Sequence, residues 1–212
     1  MKRILLLFFI LFTVKAYSQK ISYGISAGLN YTNLPGNGTL NHSSSDKYLI
    51  GFRVGGLMDI GYKTFSIQPG ILFTTTGGQG KVYFINGNNN VTDYVNNKIV
   101  LNYIEIPINF LYRIKTSSGK LFVGGGPYVG IGISGKISYA TNKSFGTTDN
   151  LSFGGDYSNI KMPDLGINVL EGYQLNSGIA ISAGYSLGLR NIYNTGANNK
   201  NKGFNFSVDY FF

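Results

Sequence analysis

Residues 98–114, KIVLNYIEIPINFLYRI, constrain the fold more than any other stretch of the chain. Taken with a period of two, they place Ile104, Ile106, Ile108, Phe110 and Tyr112 on one face and Tyr103, Glu105, Pro107, Asn109 and Arg113 on the other. Successive side chains of a strand point to opposite faces, so this is a strand with one apolar side and one polar side. It is much longer than the roughly five or six residues of an average strand. It also exceeds the roughly nine to eleven residues a tilted strand needs to cross a bilayer.

The same design recurs along the chain. Ile21, Tyr23, Ile25, Ala27, Leu29 and Tyr31 alternate with a face of Ser, Gly, Asn and Thr. Residues 48–62 set Ile50, Phe52, Val54, Met58 and Ile60 against Arg53 and Asp59, and residues 65–76 set Phe65, Ile67, Ile71 and Phe73 against Ser66, Gln68, Gly70 and Thr74. Residues 121–137 direct Leu121, Val123, Val129, Ile131 and Ile133 outward and Gly124, Gly126, Gly130, Gly132 and Ser134 inward. Residues 164–175 and 178–190 pair through a turn near Asn176 and Ser177, and residues 204–212 alternate Phe204, Phe206, Val208, Tyr210 and Phe212 with Asn205, Ser207, Asp209 and Phe211. Glu171 breaks the pattern, because strict alternation places it with Leu165, Ile167 and Val169 on the apolar face; a bulge or an interfacial position would relieve it.

The total is eight strands, and their connections alternate long, short, long, short, long, short, long. The long ones are residues 33–47, 77–97, 138–162 and 191–202, rich in Asn, Gly and Ser; residues 82–85 and 91–95 are expected to form a hairpin standing beyond the membrane. An antiparallel sheet with short turns at one end and long loops at the other has the plan of an outer-membrane barrel, with termini and short turns periplasmic and long loops extracellular. The fold class is therefore all-β: an eight-stranded antiparallel up-and-down transmembrane β-barrel. A soluble lipocalin would point its apolar residues inward around a ligand, whereas here the face opposite the apolar one is too polar for such a cavity.

Composition agrees. Charged residues are 13% of the 212, against about 25% in a soluble domain. Past the N-terminus no run approaches the roughly eighteen apolar residues of a membrane helix. Lys2 and Arg3 precede an apolar run over residues 4–14, followed by Ala16, Tyr17 and Ser18. This is the form of a Sec signal peptide over residues 1–18, leaving residues 19–212 as one barrel domain; the run is too short for an anchor helix. Removing Lys2, Arg3 and Lys15 takes the formal charge from +9 to +6. The remaining cations are scattered rather than clustered on one element, which argues against nucleic acid and for anionic lipid and lipopolysaccharide as surroundings. The absence of Cys excludes a disulfide framework and thiolate metal sites, and no cofactor is expected.

The inward set includes Arg53, Asp59, Glu105, Arg113, Arg190 and Asp209, three bases and three acids expected to pair, since unpaired charges in a narrow barrel are costly. Eight strands enclose just enough space for side chains to fill, so the expected lumen is plugged, with a narrow pore or a path for small apolar molecules as the sharper alternative. Tyr23, Tyr62, Phe65, Tyr112, Tyr173, Tyr210 and Phe212 fall near the short-turn ends of strands, and Tyr31, Tyr48, Tyr193 and Phe204 near the other, as two interfacial girdles. The alternating terminal strand ending in Tyr210 and Phe212 resembles the signal read by the barrel-assembly machinery, which with periplasmic chaperones is an expected biogenesis partner. Barrel enzymes set a nucleophile, His and carboxylate in register. The one His, His42, sits in a flexible Ser-rich loop, and no enzyme is expected. Tyr83, Phe84 and Tyr94 are the aromatic candidates for binding an extracellular ligand through the loops.

The segment Tyr103-Ile104-Glu105-Ile106-Pro107 resembles the YLEIP-like strand of the PorT-like small outer-membrane barrels, the outer membrane protein beta-barrel domain group. Gly126 to Gly130, Asp164 to Tyr173 and Tyr185 to Ile192 are similar to other positions of that pattern, so the likeness runs over the mature chain. It implies the same barrel and signal peptide. One member, PorT, is tied to the type IX secretion system of gliding bacteria, so the resemblance also implies a secretion-system partner as an alternative role.

Overall fold

A computed structural model describes residues 20–34, 44–85, 91–140, 146–154, 160–193 and 199–212, with the backbone alone for residues 44–46, 82–85 and 91–93. In chain order the strands are β1 (Lys20–Asn33), β2 (Ser44–Tyr62), β3 (Phe65–Ile85), β4 (Val91–Lys115), β5 (Gly119–Ala140), three short pieces β6 (Thr148–Leu151), β7 (Phe153–Gly154) and β8 (Ile160–Lys161), then β9 (Asp164–Leu175), β10 (Ile179–Gly188) and β11 (Lys202–Phe211). The eight long strands pair antiparallel with their neighbours in the chain; β5 pairs with β9, and β11 pairs back with β1 to close a ring. Closure follows from the apolar outer face, because an open edge in hydrocarbon would strand its backbone N–H and C=O groups.

The register sets the width of the ring. Ile21 leads through Ile60, Ile67, Phe110, Gly125, Val169, Tyr185 and Phe204 to Tyr31, so one circuit climbs ten residues, from 21 to 31. With eight strands about 4.8 Å apart and about 3.3 Å of rise per residue, that stagger gives a tilt of about 40° and a backbone radius of about 8 Å. Such a bore holds roughly one layer of side chains.

Alternation sorts the two faces. Ile25, Ile50, Ile71, Phe110, Ile181 and Phe206 stand exposed on the outside, while Ser26, Gln68, Thr74, Asn109, Asn168 and Ser207 are buried within. Two of the three short turns depend on left-handed residues, Lys63 at φ 53° between β2 and β3 and Gly178 at φ 94° before β10. On the outer wall Tyr31 stacks on Tyr48 with ring centroids 4.4 Å apart, and Phe65 meets Tyr112 at 5.3 Å.

The structure departs from the sequence reading in the long connections. The expected hairpin strands 82–85 and 91–95 do pair, but as the outer ends of β3 and β4 themselves, which stay paired out to Ile85 and Val91 with a register shift between Phe84 and Ile85. The stretch 138–162 is not a plain loop. β6 folds back antiparallel on β5, and Phe153 and Ile160 then turn inward. A register shift opposite Asn102 and Tyr103 reverses the alternation of β5 after Gly132, so Ser134 faces outward and takes a hydrogen bond from Asn102.

Candidate functional site: the lumen

From the short-turn end upward, the bore is built in layers. The first is an ion pair: Arg113 on β4 reaches Asp59 on β2 at 2.7 Å, with both side chains buried. Above it Leu57, Leu72, Leu111, Phe122, Ala180 and Phe211 form an apolar plug with Leu170 packed against it. Phe122 fits because its register partner is Gly172, where a Cβ would collide with the ring. The glycines on the inner face thus seat aromatic rings from adjacent strands.

A polar layer follows. Arg53 on β2 lies 3.4 Å from Glu105 on β4 and also feels Asp209 on β11, which accepts a hydrogen bond from Ser26. Across the bore, Asn30 donates to the Thr74 hydroxyl at 2.6 Å. Two small cavities of about 30 Å³ each flank Arg53, one bounded by Glu105, Tyr128 and Asp164 and the other by Gln68, Asn109 and Asp209. A cavity of that volume holds a water or two and not a continuous aqueous column.

The long-loop end is closed by a second apolar cluster of Leu34, Ile99, Leu101, Tyr103, Ile160 and Ile192, with Phe153 and Tyr193 against it. Phe153 meets Tyr103 edge-on at 5.8 Å and occupies the space that a side chain at Gly132 would take. Tyr193, expected in the outer girdle, packs instead against this inner cluster, because the chain after β10 turns over the mouth rather than continuing along the wall.

Of the six charges expected to pair inside, the structure brings together Arg53 with Glu105 and Arg113 with Asp59, and places Asp209 near Arg53. Arg190 does not join a carboxylate: it donates to the carbonyls of Met162 and Pro163 at 2.9 and 3.1 Å, where it ties the end of β10 to the start of β9. The fourth lumen acid, Asp164, was missed. It accepts from Asn201 at 2.7 Å, and Asn199 and Asn201, which fall in the long connection 191–202, are buried. The alternation of Asp164, Gly166 and Asn168 was the available signal; that Asn201 folds in to meet Asp164 was not in the local pattern.

Glu171 is outward and exposed, as strict alternation requires, with no register shift in β9. It borders an outer groove of about 430 Å³ where Gly124, Ala183 and Gly184 leave the wall thin. Tyr210 and Phe212 are exposed near the end of β11, with ring centroids 6.5 Å apart. Tyr94 carries the Lys81 ammonium over its ring at 4.0 Å. The Tyr83 and Phe84 side chains, His42, the signal segment and residues 86–90 lie outside the described residues.

A closed ring with an apolar exterior and a packed, polar interior is an integral membrane β-barrel. Residues 17–194 match the family model of the outer membrane protein beta-barrel domain, and the chain belongs to that family and resides in the outer membrane. Among solved structures, it is similar to the attachment invasion locus protein Ail of Yersinia pestis, at 13% identity and TM-score 0.44 over 90% of this chain and 98% of that one. It is also similar to Neisserial surface protein A, at 14% identity and TM-score 0.44 over 92% and 100% of the respective chains. A search of curated protein sequences returns no match.

Proposed function

We propose that this protein is a non-conducting outer-membrane barrel that serves structure and interaction at the cell surface, through the ends of its long strands and loops. The observation that carries this is the layered lumen: an apolar plug below, an apolar cap above, and between them ion-paired side chains around cavities of about 30 Å³. In this reading residues 1–18 are removed on Sec export, the short turns face the periplasm, and the long hairpin of β3 and β4 stands outside the cell. Tyr210 and Phe212 then present the assembly signal.

Planar-bilayer recording of the refolded chain tests the plug. Silence is expected; a steady conductance abolished by Arg53→Ala or Glu105→Ala would replace the plug with a narrow pore. Deleting residues 82–93 should leave the barrel folded and remove whatever surface contact the hairpin makes. A place in a type IX secretion system is supported by the resemblance of Tyr103 to Pro107, and co-purification with secretion components would favour it over a surface role.

A further inference from the structure

The short-turn mouth is open where the middle of the barrel is packed. Below the pair of Arg113 and Asp59, the bore widens into a cavity of about 590 Å³ whose lining includes Lys20, Lys115 and Lys120. Three strands supply these lysines: the start of β1, the end of β4 and the start of β5. Lys115 and Lys120 are register partners, and Lys120 is also paired with Gln174. Their neighbours Ile21, Ile114 and Leu121 stand exposed on the outer wall, so by alternation the lysines hold inward positions.

Asp59 is the one acidic side chain in the described lining, and Arg113 already engages it. Lys63 lines the cavity as well, its ammonium 5.5 Å from the centroid of the Tyr62 ring, so the ammonium groups of Lys20, Lys115 and Lys120 face a lining with no further acidic side chain. Lys120, at the turn end of β5 beyond the outer aromatic row, records the result: partial burial, then the charges of Arg113, Lys20 and Lys115, hold its ammonium below the usual lysine range, with Asp59 opposing.

A lysine on the outer rim would meet lipid phosphates, but these face the bore, where a headgroup cannot follow while its acyl chains stay outside the wall. A free phosphate would leave most of the space empty, since about 590 Å³ is the scale of a pocket for a sizeable ligand. Gln174 and Asn176 add amides that can pair with a peptide backbone, and Phe211 adds an apolar wall. We propose that this mouth binds an acidic polypeptide segment, its carboxylates against Lys20, Lys115 and Lys120. The inference rests on the orientation given above only for the statement that the segment is periplasmic.

The test uses the full chain refolded in zwitterionic detergent, with binding of a fluorescent hexaglutamate peptide followed by anisotropy at low salt. Saturable binding is expected, weakened about tenfold or more by Lys20→Glu with Lys120→Glu and retained by Lys20→Arg with Lys120→Arg; heat-modifiable migration on gels shows that each variant is folded. Binding that is absent, unchanged in the Glu variant, or matched by hexalysine overturns the proposal. Saturation by pyrophosphate without hexaglutamate binding also overturns it, in favour of a small phosphate, as does binding that requires anionic lipid vesicles, in favour of the membrane. Labelling of Ser177→Cys by an impermeant maleimide from outside intact cells would refute the orientation and leave peptide binding standing.

Discussion

At the residue scale, the two arginine–carboxylate pairs differ in what they can contribute. Arg113 and Asp59, at 2.7 Å, form a charge-assisted hydrogen bond, whereas Arg53 and Glu105 at 3.4 Å make a looser contact in which one cation also serves Asp209. Removing one partner of a buried pair leaves an uncompensated charge and costs about 3–5 kcal/mol, while replacing both with apolar groups costs far less. Asp59→Leu should therefore destabilise the barrel by about 3 kcal/mol or more in urea unfolding from lipid vesicles, and Asp59→Leu with Arg113→Met should recover much of the loss. A double variant as unstable as the sum of the two singles would show that the pair is not coupled.

At the scale of the element, β4 explains how one strand serves two environments. Below Tyr103 it turns Ile108, Phe110 and Tyr112 outward and buries Glu105, Asn109 and Arg113. Above Tyr103 the polarity inverts: Ile99 and Leu101 are buried inside, and Asn96 and Lys98 are exposed. The alternation never slips, so the change marks where the surroundings pass from lipid to water, and the inward face there becomes an ordinary apolar core. Leu101→Ala should then cost about 2–5 kcal/mol. The loss should be confined to the cap: hydrogen exchange of residues 148–154 should accelerate while residues 106–112 stay protected. Acceleration throughout the barrel would show that cap and wall unfold as one unit.

For the whole molecule, the height of the apolar belt follows from the register. Tyr23 and Tyr31 mark the two girdles on β1, eight residues apart, and at about 3.3 Å per residue and a tilt of about 40° they lie about 20 Å apart along the axis. That is shorter than the apolar band of roughly 25 Å typical of such barrels. Refolding should accordingly be faster and more complete in vesicles of twelve-carbon than of eighteen-carbon lipids, read by heat-modifiable migration; the reverse order would contradict the belt assignment.

The alternation of apolar and polar residues, the even strand count and the spacing of turns determined the barrel and its outward face, because lipid acts on each strand in the same way and leaves a local period-two record. That record also made Arg53, Asp59, Glu105 and Arg113 legible as lumen residues. Which charges met was a different matter: Arg53 reaches Glu105 across two intervening strand pairings, a relation set by the stagger of the ring and by no neighbouring residue. The tertiary structure alone turned the loops after β5 and β10 inward to close the mouth, sent Arg190 to backbone carbonyls, and buried Asn201 against Asp164. Loops carry no periodicity, so their burial depends on what space the packed wall leaves open.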